Sequence, residues 1–351
     1  SNNTRETADT FDLNVSGNIK SASDLDWFSF DVESPAIVSL EVDLATNSTL
    51  EYWRISIRDE FGAYLKSVDT GQDQVISIGL NDAGTYYLVM EMGSWGEYKT
   101  DQYELSATII PGVDGVETED NGDPTSADQL VGEITGNVQG ETDQDWYRFN
   151  IAAPTTTTVT FDVDSDSTLK YWLVTIRDAN GNILAAADTG GDRVFSTGLD
   201  QTSTYYLVVE KGSWDHLNTE QYSITVAYST DTDGVETEGN DAKSSADDLG
   251  SGVSGMISSA SDQDWYQFDI STPTTLNVAF DVAGDSSLQY WLVTIQDANG
   301  NLLAAADTGR DRAFSTGIDQ TGTYYLIVEQ GSWHEYNSDQ YAIDVTLTDG
   351  V

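Results

Sequence analysis

Polar and apolar residues alternate along much of this chain in short runs. In Tyr171-Trp172-Leu173-Val174-Thr175-Ile176-Arg177, the residues Trp172, Val174 and Ile176 fall on one side and Tyr171, Thr175 and Arg177 on the other. A period of two marks a strand with one buried face, so the first set is expected in a core. Similar runs rich in Val, Ile, Thr, Tyr, Phe and Trp predict strands near 133–139, 145–151, 157–164, 171–178, 182–187, 193–197, 204–210 and 221–227. Gly, Asn, Asp and Pro clusters separate them, and no stretch carries a helical period. Asp178-Ala179-Asn180-Gly181-Asn182 and Asp297-Ala298-Asn299-Gly300-Asn301 predict hairpin turns needing φ > 0; Asp59-Glu60-Phe61-Gly62 is a looser version.

The pattern recurs. Trp27, Trp146 and Trp265 are spaced by 119 residues, as are Trp53, Trp172 and Trp291, then Trp95, Trp214 and Trp333, and Tyr103, Tyr222 and Tyr341. That period has the length of a domain rather than of a solenoid repeat. Gly- and Asp-rich joints near 111 and 230 divide the chain into 1–111, 112–230 and 231–351. The expected fold is all-β: three tandem antiparallel β-sandwich domains of jelly-roll-like type.

Composition narrows function. With 14 Lys and Arg against 60 Asp and Glu, the net charge is −46, and no basic face for nucleic acid or an anionic membrane can be assembled. Such an acid excess repels itself unless cations screen or bind it, which implies a saline (halophilic or marine) setting, calcium, or both. Cys is absent, so disulfides contribute nothing. No apolar run is long enough to span a membrane. Ser1 falls inside the first period, so a monomeric fragment of a longer parent is expected.

The order of motifs carries a family resemblance. Each full copy opens on Glu-x-Glu-x-Asn, continues through an Ala-Asp and Leu segment to Asp-x-Asp-Trp-Tyr-x-Phe, and ends on Thr-Tyr-Tyr-Leu-x-Val and Gln-Tyr-x-Ile-x-Val strands, with minor variations. This resembles the bacterial pre-peptidase C-terminal domain, which is similar to the collagen-binding domains of clostridial collagenases. The resemblance implies a β-sandwich appended to an exported protein, often calcium-binding, sometimes attaching its parent to insoluble or surface ligands. The Gly-Ser-Trp segment before the last strand departs from it.

Two constellations carry chemistry. Glu117, Glu119 and Asn121 alternate along one extended segment, as do Glu236, Glu238 and Asn240 with Asp241 beside them. Asp143 and Asp145, or Asp262 and Asp264, could close a shell of oxygens around Ca²⁺. The resemblance implies the same use of the Glu pair, the Asn and the Asp before the aromatic pair. The alternative is solvated linker charge. The first copy has Asn2, Asp24 and Asp26 without the Glu pair, so an incomplete site is expected there.

The tryptophans at 27, 146 and 265 and at 53, 172 and 291 are expected to pack. Trp95, Trp214 and Trp333 lie in polar stretches between strands. With Tyr98 or Tyr336, with Glu91, Glu210 or Glu329, and with Asp192-Arg193 or Asp311-Arg312, they could stack on and hydrogen-bond a sugar. The alternative is a Trp lid over the end of each sandwich. His216 and His334 fall out of register and no hydrolase, zincin or phosphate-loop motif appears, so no enzyme is expected. The reading is a non-catalytic, calcium-stabilised module of a secreted or cell-surface protein that binds a polysaccharide or surface glycan. A spacer with calcium-stiffened joints is the alternative, and a collagen-like or other protein ligand is a third possibility resting on the resemblance alone.

Overall fold

The computed structural model describes residues 2–350 apart from Asp120 and His334; the expectation for His334 therefore lies outside the described residues. Among the described residues, regular structure is almost wholly β, with one 3-10 turn at Arg5–Thr7. The first nine strands are β1 (Asp9–Thr10), β2 (Asn14–Gly17), β3 (Asp26–Val32), β4 (Ala36–Leu44), β5 (Trp53–Arg58), β6 (Tyr64–Thr70), β7 (Gln74–Leu80), β8 (Gly84–Met92) and β9 (Tyr103–Pro111). The next nine are β10 (Asp128–Gln129), β11 (Ile134–Gly136), β12 (Gln144–Ile151), β13 (Thr155–Val163), β14 (Trp172–Arg177), β15 (Ile183–Thr189), β16 (Arg193–Leu199), β17 (Ser203–Lys211) and β18 (Tyr222–Ser229). The last are β19 (Asp247–Asp248), β20 (Gly252–Gly255), β21 (Gln263–Ile270), β22 (Thr274–Val282), β23 (Trp291–Asp297), β24 (Leu302–Thr308), β25 (Arg312–Ile318), β26 (Gly322–Gln330) and β27 (Tyr341–Asp349).

These strands make three pairs of sheets, and each pair has one order. Five strands run β1-β3-β8-β5-β6 and four run β2-β9-β4-β7; the second and third sets repeat both orders. Two compact units are distinguished. One comprises Ser1–Tyr147, Asp162–Ser165 and Trp214–Ile224, the other Arg148–Phe161, Asp166–Ser213 and Thr225–Val351. In the first, Leu40, Val42, Trp53, Ile55, Leu88, Met90 and Leu105 pack between the sheets. In the second, Val278, Phe280, Trp291, Val293, Ile295, Leu326 and Ile343 form the corresponding core.

Trp172, Val174 and Ile176 are fully buried, as the alternation requires. Each such side chain contributes about 1.5–3 kcal/mol on leaving water. Thr175, on the opposite face, is buried too, because Arg177 folds back and donates from Nε to its Oγ1 at 2.9 Å. The same face explains Trp27. Phe28, Phe30 and Val32 of β3 point into the core, so Trp27 points away from it. There the Arg58 guanidinium lies 4.8 Å from the Trp27 ring and 4.0 Å from that of Tyr64, while Tyr87 meets Trp27 edge-on at 5.7 Å. Trp27 is packed, though on the outer face rather than between the sheets.

The sheets are not wholly antiparallel. The two-residue strands β1 and β19 pair parallel with β3 and β21; strands this short carry no legible alternation. The hairpin turns differ in detail as well. Gly62, Gly181 and Gly300 take φ of +88°, +86° and +83°, whereas Asn180 and Asn299 stay at negative φ. Asp178 Oδ1 instead accepts from the backbone of Asn180 and Asn182, both at 2.8 Å. Asp59 does the same for Phe61 (2.9 Å) and Ala63 (2.7 Å), so the first copy forms the same turn rather than a looser one.

Candidate metal centres

The acidic segments that open the second and third copies are fixed by backbone bonds on both sides. Glu117 N donates to Thr135 O and its carbonyl accepts from Gly79 N, each at 2.9 Å. Glu236 N likewise donates to Ser254 O (2.9 Å) and its carbonyl accepts from Gly198 N (2.7 Å). Asp128 and Asp247, on the short strands β10 and β19, accept from the backbone N–H of Thr118 and Thr237 at 2.8 Å. Held this way, Glu117, Asn121, Glu236 and Asn240 turn their side chains inward and are all but sealed from water.

In the first centre, oxygens of Glu117, Glu119 and Asp145 lie within 4.8 Å of one another. Asp143 Oδ2 accepts from Gln139 N at 2.5 Å, which ties the loop to the cluster. Beneath it, Tyr222 donates to Asp145 Oδ2 at 2.5 Å, and the Tyr147 and Tyr222 hydroxyls are 2.7 Å apart. The second centre repeats the arrangement with Glu236, Asp264, Tyr266 and Tyr341, and Asp262 Oδ2 accepts from Ser258 N at 2.5 Å. Glycine is needed at both floors. A Cβ on Gly136 would stand 2.6 Å from Glu117 Oε2 and 2.7 Å from the Tyr147 hydroxyl, and one on Gly255 would meet Glu236 and both tyrosines.

The electrostatics of both centres are unbalanced. Burial, then the neighbouring Glu117, push the Glu119 carboxyl up to about 10. Burial also raises Glu117, Asp145, Glu236, Glu238 and Asp264; adjacent carboxylates raise the last four further, whereas Lys66 draws Glu117 back down. Asp262 is pushed up to about 6, chiefly by burial. Two carboxylates about 4 Å apart repel by roughly 4 kcal/mol at an effective dielectric near 20.

Glu117 Oε1, Asn121 Oδ1 and Asp145 Oδ1 are buried without a hydrogen-bond partner, as are Glu236 Oε1, Glu238 Oε1, Asn240 Oδ1 and Asp264 Oδ1. Orphaned acceptors of this kind are rare in folded proteins. An all-oxygen donor set with no thiolate or imidazole fits a hard cation such as Ca²⁺. Asp241 is exposed beside the second set, accepts from Gln263 N at 3.3 Å and, after burial, raises the carboxyls of Glu238 and Asp262 by repulsion. In the first copy Asn2 keeps the backbone position, its carbonyl accepting from Trp27 N at 2.9 Å, and Tyr103 donates to Asp26 Oδ2 at 2.6 Å.

The loop residues expected to form a sugar site are not all brought together. Trp95, Trp214 and Trp333 are 51%, 39% and 44% exposed, and Tyr98 and Tyr336 are exposed as well. Glu91 and Glu210 instead pair with Arg58 (2.9 Å) and Arg177 (2.5 Å) on the outer sheet face, and Glu329 accepts from Gln263 Nε2 at 2.5 Å. Arg193 bonds Asp339 at 2.6 Å and, with Asp311, Asp281 and Tyr341, lines a cleft of about 470 Å³. Asp192 N donates to Asp166 at 2.9 Å, and Arg312 is exposed. His216 lies beside Trp214, with ring centres 6.2 Å apart.

Comparison with known proteins gives structural likenesses only. No family model matches the chain, and no curated protein matches its sequence. Among solved structures it is similar to the pre-peptidase C-terminal domain of a collagenase from Bacillus anthracis, at 18% identity over 29% of this chain and 92% of that one, with a TM-score of 0.24. It is also similar to the tandem CBM51 modules of a family 98 glycoside hydrolase from Streptococcus pneumoniae, at 12% identity over 61% and 83% of the two chains, TM-score 0.23. Among the described residues, no helix is long and apolar enough to cross a membrane.

Proposed function

We propose that this chain is a calcium-loaded, non-catalytic β-sandwich module of an exported protein, repeated three times with boundaries near 111 and 230, which attaches its parent to a surface glycan. One observation carries the calcium reading: two buried sets of carboxylate and amide oxygens whose acceptors have no hydrogen-bond partner. A divalent ion held by Glu117, Glu119, Asn121 and Asp145 supplies positive charge beyond that of Lys66, and one held by Glu236, Glu238, Asn240 and Asp264 supplies charge that no paired Lys or Arg among the described residues provides. Extracellular modules bind Ca²⁺ with dissociation constants of about 10⁻⁴–10⁻³ M, matched to the concentration outside cells.

The glycan reading is supported by the half-exposed Trp95, Trp214 and Trp333. Linked weak sites gain avidity of roughly 10²–10⁴ when they engage together. A glycan array at millimolar calcium tests it: wild type is expected to bind and Trp214→Ala with Trp333→Ala to lose binding, whereas a blank array for wild type removes this reading. One observation favours the spacer alternative. The Gly79 N to Glu117 O and Gly198 N to Glu236 O bonds tie each acidic segment to the strand of the preceding copy, so an ion there would stiffen a joint. Small-angle scattering separates the two, since a spacer changes length on chelation and binds no glycan.

A further inference from the structure

The two centres share their Glu, Glu, Asn and Asp set, and the first adds a buried positive charge. Lys66 stands on the edge strand β6 opposite Ile57, a core-facing position, and is 2% exposed. Its Nζ lies 3.9 Å from Glu117 Oε2. Gln139, from the second copy, donates to Glu119 and to the carbonyl of Leu65, which fastens the strand beside Lys66 to the same cluster.

At the second centre nothing plays this part. One period after Lys66 the residue is Ala185, also fully buried, and Ser258 replaces Gln139. Among the described residues, no Lys or Arg pairs with Glu236, Glu238, Asp262 or Asp264. Glu238 Oε1 is left buried without a partner.

We infer that Lys66 is a tethered cation that competes with a divalent ion for the first carboxylate cluster, so that the second cluster binds calcium more tightly although both present the same two Glu, Asn and Asp. The inference rests on the calcium reading above. A buried ammonium cancels one carboxylate charge before any ion arrives, and its repulsion of a divalent ion is twice that between unit charges at the same distance. Glu119 and Leu65 line a cleft of about 250 Å³ whose walls also carry Asp59, Glu60 and Asp82. That cleft gives an ion a route to the cluster and a displaced ammonium other carboxylates to meet.

Calcium titration by calorimetry tests this on the whole chain after chelation and dialysis. Wild type should show two classes of site differing by at least about tenfold, the tighter lost in Asp264→Asn. Lys66→Ala, which copies the residue of the next repeat, should tighten the weaker class about tenfold or more and leave the tighter one in place, while Lys66→Arg keeps it weak. Ala185→Lys, the reverse exchange, should weaken the tighter class, and it keeps the question open to test if Lys66→Ala does not fold. Two equal classes in wild type, or a weaker class unmoved or further weakened by Lys66→Ala, overturn the role of Lys66 while leaving calcium binding intact. Absence of calcium uptake by every variant overturns both.

Discussion

The Tyr222 hydroxyl donates to Asp145 Oδ2 at 2.5 Å on the floor of the first carboxylate cluster, linking the last strand of the second copy to the strand that opens its sheet core. Both side chains are fully buried. Tyr222→Phe removes the donor and leaves a buried carboxylate oxygen bare, so a loss of about 1–3 kcal/mol is expected in urea unfolding of chelated protein. Asp145→Asn with Tyr222→Phe should lose less than the sum of the two single changes, because the residues share one bond.

Much of this floor escapes a reading of the sequence, for identifiable reasons. Trp172, Val174 and Ile176 announce their burial by a period of two, and the Glu-x-Glu-x-Asn spacing marks the acidic segment. Tyr222 and Tyr341 keep strict register, yet nothing local says that each meets an aspartate 77 residues earlier. Lys66 is similar: a Lys where the other copies have Ala185 and Ala304 was visible as a departure, but its carboxylate partner lies across a joint. Glu91, Glu210 and Arg193 are grouped by sequence with the Trp loops, whereas sheet pairing and long-range contacts give them Arg58, Arg177 and Asp339.

Chelated protein should lose stability as pH rises. Folded-state carboxyl groups raised above their unfolded values, Glu119 to about 10 and Asp262 to about 6, bind protons that the unfolded chain releases near pH 4. Stability therefore falls from about pH 4 upward, most of the Asp262 contribution being lost by about pH 6 and that of Glu119 continuing to fall beyond it. Calcium reverses the trend, since binding displaces those protons. Thermal melts in chelator and in excess calcium from pH 4 to 9 check both slopes.

Gly136→Ala places a methyl group against Glu117 Oε2 and the Tyr147 and Tyr222 hydroxyls. A loss of roughly 1–3 kcal/mol is expected from overpacking, with weakened calcium uptake at that centre alone. Gly255→Ala should mirror it at the other, and calorimetry on the two variants reads which class of site is damaged.

The tryptophans separate core from surface. Trp172→Ala should cost about 3–5 kcal/mol, the range for deleting a fully buried aromatic. Trp214→Ala, at 39% exposure, should shift stability by under about 1 kcal/mol. Equilibrium denaturation of the two variants side by side checks the contrast.

The central claim is that the two buried oxygen clusters bind calcium, and differential scanning calorimetry of chelated protein against a calcium series tests it most directly. The predicted result is a melting temperature that climbs with calcium, reaching about 2.7 kcal/mol of added stability per site at a hundredfold excess over the dissociation constant, and that stops climbing when Asp145→Asn is combined with Asp264→Asn. A melting temperature indifferent to calcium in wild type would contradict the account.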